Sequence, residues 1–144
     1  MEPHSLDYHV VQRRPLRRFA PLGAGIGCGA LLWFLSPYIT GQAEPWDHSG
    51  PYYSVGLFVS GLISASIAPR WPWMAPVGVC IGEFAFLVLF LPLGSTWLAG
   101  VFFLVKDGTI ALGGAAVPYL LMLALQYVKD EKRAREPPPR GRGP

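Results

Sequence analysis

The chain has 144 residues, 51% hydrophobic and 15% charged, with a net charge of +3 and two cysteines. A soluble domain would carry about a quarter charged residues. The apolar content excludes a disordered body, two cysteines exclude a disulfide scaffold, and the small net charge excludes a broad basic face for nucleic acid.

What remains is a small polytopic membrane protein of one domain. Residues 1–18 form a polar N-terminal tail that ends in Arg13, Arg14, Arg17 and Arg18. Residues 19–40 carry no charge after Arg18 and are long enough for a span, which needs about 20 apolar residues. Gly23, Gly25, Gly27 and Gly29 give this span two overlapping four-residue repeats, the spacing at which helices pack closely in lipid. A basic flank followed by Gly41-Gln42-Ala43 also has the outline of a cleaved leader. The apolar stretch exceeds the usual leader core of about 7–15 residues, so a retained span is expected.

A polar outer loop follows, with Glu44, Asp47 and His48. Their spacing matches no metal motif, and Pro45, Gly50 and Pro51 read as turn formers. Residues 53–68 form a second, short span in which Gly56, Ser60 and Ser64, and Gly61 and Ala65, recur every four residues. The turn Pro69-Arg70-Trp71-Pro72 leads into a third span over residues 73–93, whose one ionisable residue is Glu83. A charged carboxylate at that depth costs about 2.5–3.5 kcal/mol on insertion scales, so intramembrane acids are functional candidates by default. The bland alternative is a protonated, hydrogen-bonded structural glutamate. Partners expected at similar depth are Ser60, Ser64 and Tyr119, together with the Gly114 carbonyl that Pro118 leaves without its helical donor.

Residues 97–105 are apolar but too short to cross, and Lys106-Asp107-Gly108 interrupts them. The expected structure over residues 96–107 is a separate interfacial helix, stopped by the charged pair and broken at Gly108. The last span then covers residues 109–128, with Gly113, Gly114, Ala115 and Ala116 as a close-approach surface. Residues 129–144 read as a Pro/Arg-rich disordered tail.

Orientation follows from the basic residues. An even number of spans puts eleven of the twelve Lys and Arg residues on one side, leaving Lys106 alone opposite. Both termini are therefore expected in the cytoplasm, and the protein in the plasma (inner) membrane. The fold class implied is an all-α bundle of four transmembrane helices, residues 19–128, with an interfacial helix before the last span.

Catalytic chemistry finds no support. The spans hold no His, and Ser60, Ser64 and Ser66 have no base at their depth. Cys28 and Cys80 read as small hydrophobes rather than ligands or a disulfide. No catalytic residue, metal or cofactor is expected. The expected function is an accessory or scaffolding subunit in a membrane complex. Its partners would be the bilayer and another membrane protein or a second copy, with no nucleic acid. The alternative is an oligomeric transporter or channel that uses Glu83 for ion or proton translocation.

Overall fold

Largely apolar runs separated by Pro- and Gly-containing links fold as four helices among the described residues: α1 (Ala20–Thr40), α2 (Tyr52–Ser66), α3 (Met74–Phe90) and α4 (Trp97–Arg135). The computed structural model describes residues 17–42, 44–45, 50–90 and 97–135, without the side chains of residues 97–99 and 101. Among the described residues there is no strand. Pro21 sits at the start of α1, where a missing N–H costs nothing. Gly41 ends that helix in the left-handed region at φ 74°, a conformation glycine reaches without a Cβ penalty. Ser36 Oγ donates to the Gln42 carbonyl at 2.9 Å, and the Gln42 N–H donates to Thr40 Oγ1 at 3.2 Å, tying down this terminus.

The link between α2 and α3 is a run of tight turns. The Trp71 N–H bonds the Ala68 carbonyl at 3.1 Å and the Met74 N–H bonds the Trp71 carbonyl at 3.2 Å. Trp71 and Trp73 meet edge to face, with centroids 6.5 Å apart.

Two glycine seams bring the helices together. In the first, a Cβ on Gly25 or Gly29 would strike the backbone of α3 at Ala75 and Val79, and one on Gly78 or Gly82 would strike α1 at Leu22 and Ile26. In the second, Gly61 rests on the Ala111 carbonyl and Gly114 on the Phe58 carbonyl. The pairs α1–α3 and α2–α4 are thus in main-chain contact, as small-residue packing allows. α2 and α3 also touch, which puts α1 and α4 at opposite corners. Leu32, Tyr53, Leu57, Val79 and Ala111 fill the space between. Gly56 faces the Leu32 side chain, while Gly113 only grazes the Phe58 ring. Gly23 and Gly27 have nothing near them and lie on the outer surface.

The bundle buries polar groups beside its apolar core and leaves much of its apolar surface outside. Ser36, Ser60, Ser64, Glu83 and Asp107 are buried, while Leu31, Phe34, Ile63, Leu89, Phe102 and Leu125 are exposed. Exposed apolar surface on this scale marks a membrane or protein contact. α1 and residues 102–135 of α4 are long and apolar enough to cross a membrane; α2 and α3, at 15 and 17 residues, are shorter.

The C-terminal half departs from the sequence expectation in two ways. Residues 96–107 do not make a separate interfacial helix: from Trp97 onward the chain belongs to α4, which runs through Gly108 without a break. Gly108 serves close approach instead, since a Cβ there would stand 3.0 Å from Cys80 Sγ. Residues 129–135, expected to be tail, continue the helix. Lys, Arg and Glu are good helix formers, Arg135 pairs with Glu131 one turn earlier, and cations suit a helix C-terminus. The tail residues 136–144, residues 1–16, and the loop residues Asp47 and His48 lie outside the described part.

Candidate functional site

Each helix of the bundle points one stripe inward, and three of those stripes carry an ionisable group. On α2 the buried stripe is Tyr53, Leu57, Ser60, Gly61, Ser64 and Ala65. On α3 it includes Ala75, Val79, Glu83 and Leu87, four residues apart. On α4, Asp107, Ala111, Gly114 and Ala115 are buried at the same helical spacing. The glycine seams hold α3 against α1 and α4 against α2, so the three polar tips converge at the end of the bundle where α2 begins.

They converge on one atom. The Tyr53 hydroxyl oxygen lies 2.8 Å from Glu83 Oε1 and 2.8 Å from Asp107 Oδ2. All three residues are buried, Tyr53 at 6%, Glu83 at 1% and Asp107 at 0% exposure. Among the described residues, the second carboxyl oxygens, Glu83 Oε2 and Asp107 Oδ1, have no hydrogen-bond partner. Buried polar atoms are normally satisfied, so two orphaned oxygens in one cluster call for an explanation.

Among the described residues Lys106 makes no ion pair with either acid, and its ammonium sits 5.5 Å from the centre of the Phe103 ring. Cys80, one turn before Glu83, donates its thiol proton to the Leu104 carbonyl at 3.4 Å. Cys80 and Gly108 also line an open apolar groove of about 710 Å³ between α3 and α4, with Trp73, Phe84, Val105 and Leu112.

Glu83 is therefore part of a three-residue cluster, and its expected partners need correction. Ser60 and Ser64 face inward on α2, but Ser64 Oγ donates to Cys28 Sγ at 3.9 Å. Tyr119 is half-buried and bonds neither acid, and Gly114 packs on Phe58 and Leu62 rather than on the glutamate. Tyr53 takes the place assigned to them because it heads the same stripe and its side chain is the longest there.

The sequence pattern puts Asp107 at the membrane surface as a stop signal, but the residue is fully buried and faces Glu83 across the phenol. Because α4 begins at Trp97 and not at residue 109, Asp107, Ala111 and Gly114 form one buried stripe on it. Of the outer-loop trio, Glu44 is described and half-buried. Cys28 and Cys80 are both free thiols.

Chemically, two carboxyl groups and a phenol at the meeting point of three helices can hold a proton or a small cation. Among the described residues no three His, Cys, Asp or Glu side chains gather as a metal set. The chain matches no family model, and no curated protein or solved structure shows significant similarity to it.

Proposed function

We propose that the chain is a four-span membrane protein that binds and passes a proton or small cation at the Glu83–Tyr53–Asp107 cluster. The observation that carries this reading is the burial of two carboxyl groups against one hydroxyl inside a bundle with an apolar exterior. Acids inside a membrane are expensive and face bundle interiors or ion paths. α2 and α3 are about 22 and 25 Å long, and the apolar residues flanking them, Ile67, Ala68, Trp71 and Trp73, extend their reach. Both ends lie in the cytoplasm of a plasma (inner) membrane, because eleven of twelve basic residues then fall inside. Several copies form the transporting unit, since one chain encloses little free space.

The test is flux in proteoliposomes under imposed proton, sodium or potassium gradients. Wild-type protein should dissipate at least one gradient, and Glu83→Gln and Asp107→Asn should each abolish the flux. Wild-type vesicles as tight as empty ones to all three ions would end this reading.

A second reading, an accessory or scaffolding subunit, is favoured by a different observation. Gly23 and Gly27 present a smooth, unpartnered strip on α1, and such strips suit close contact with another membrane helix, from a different protein or a second copy. Gentle-detergent purification should then recover a companion polypeptide or an oligomer. A lone monomer counts against it.

A further inference from the structure

Hydrogen-bond stoichiometry at the cluster goes further than ion binding. A phenol carries one proton, so Tyr53 can donate to only one carboxylate at a time. Yet its oxygen stands 2.8 Å from both Glu83 and Asp107, a hydrogen-bonding distance for O–H to O. Both contacts are bonds only if one carboxyl group supplies a proton of its own and donates it to the phenolic oxygen.

We infer that Glu83 and Asp107 share a single proton, exchanged through the Tyr53 hydroxyl, so that the cluster is a two-way proton relay. In one state Glu83 is the acid: it donates to Tyr53, and Tyr53 donates to the Asp107 carboxylate. In the other state Asp107 is the acid and the bonds run the opposite way. Conversion breaks the Glu83 O–H bond as the Tyr53 oxygen gains that proton, while the original Tyr53 O–H bond breaks and Asp107 Oδ2 gains its proton. The phenol is unchanged at the end. One proton has moved from Glu83 to Asp107, and one negative charge has moved the other way.

The geometry favours a proton over a divalent metal ion as the cargo. The cluster offers the two orphaned oxygens, Glu83 Oε2 and Asp107 Oδ1, and the phenolic oxygen between the acids. Calcium takes six to eight oxygen ligands and magnesium needs a near-ideal octahedron. Cys80 beside the cluster bonds to the Leu104 carbonyl, and Lys106 is directed at Phe103. Neither makes a hydrogen bond to the three clustered residues. The inference rests on the cluster being the ion site, and it names the ion.

Infrared spectroscopy of the intact protein in lipid tests it without requiring flux. At neutral pH the wild-type spectrum should contain a carboxylic-acid carbonyl band that shifts in heavy water. Selective ¹³C labelling of glutamate should shift part of that band, and labelling of aspartate should shift the remainder. Glu83→Gln and Asp107→Asn should each remove it, because the remaining carboxylate then stays ionised and accepts the hydrogen bond of the neutral phenol. Adding sodium or magnesium salts should leave it in place. No acid band, a band shifted wholly by one label, or a band abolished by either metal would overturn the shared proton. The labelling uses the natural chain and so stands even if the variants fail to fold. Failed flux beside a shared acid band would sink transport alone, whereas flux beside an unshared band would sink only the relay.

Discussion

Gly61 on α2 rests against the main-chain carbonyl of Ala111, one helical turn beyond Asp107 on α4. That contact fixes how closely the helix carrying Tyr53 approaches the helix carrying Asp107. A methyl group there has no room. Gly61→Ala is expected to lower stability by about 1–3 kcal/mol, the usual cost of overpacking. Gly113→Ala, whose Cβ would meet the Phe58 ring at an ordinary 3.9 Å, should instead gain up to about 1 kcal/mol from reduced backbone freedom. Thermal unfolding of the two variants in one detergent checks the pair, and equal melting temperatures would refute the seam.

The same contrast exists on α1. Gly29 abuts the Val79 carbonyl whereas Gly27 faces open space. Gly29→Ala should destabilise the bundle and Gly27→Ala should not. If the open strip binds another helix, Gly27→Leu will additionally disrupt that assembly while leaving monomer unfolding unchanged, as size-exclusion chromatography can read.

Tyr52 and Tyr53 are neighbours with very different expected sensitivities. The Tyr52 hydroxyl donates to the Leu32 carbonyl at 2.9 Å in a partly buried place. Tyr52→Phe should cost about 0.5–1.5 kcal/mol, one ordinary hydrogen bond. Tyr53→Phe leaves two buried carboxyl groups facing each other without their bridging hydroxyl. It should cost more, because an unsatisfied charged group adds to the usual penalty of about 1–3 kcal/mol for a lost partner. Equal losses in detergent melts would show that the cluster is not the more costly arrangement.

The continuity of α4 is directly measurable. Spin labels at positions 102 and 122 flank Gly108 and Pro118, and an unbroken helix sets their backbone sites about 30 Å apart. A substantially shorter distance would restore the break at Gly108 that the sequence suggests.

The two thiols should remain apart under mild oxidation. Cys28 accepts from Ser64 on α2, and Cys80 donates to a carbonyl on α4. Mass spectrometry of oxidised monomer should find both thiols free, and an internal disulfide would contradict these orientations.

Much of this architecture can be read from periodicity. Small residues at four-residue spacing in the first and second apolar runs, and the consecutive small residues 113–116 in the last, mark the packing seams, and Glu83 stands out as a lone acid in an apolar run. Gly78 and Gly82, half of the α1–α3 seam, are as regular but are overshadowed by the neighbouring glutamate. The rest is hidden by boundaries. Treating Lys106-Asp107-Gly108 as punctuation separates Asp107 from its own helix face. In the interior the aspartate meets Tyr53 from α2 and lies across that phenol from Glu83 of α3, which no local window contains. Tyr53 resembles an interfacial aromatic because it stands at the start of a span, and its inward direction depends on the contacts of Gly56 and Gly61.

From Asp107 to Arg135, α4 is one continuous helix about 42 Å along its axis, with Pro118 inside it. Pivoting it by about 10° at the acidic end would sweep the basic end through about 7 Å, a displacement that follows from the rise of the helix. A displacement as wide as a side chain at the basic end therefore requires only a slight tilt at the acidic cluster.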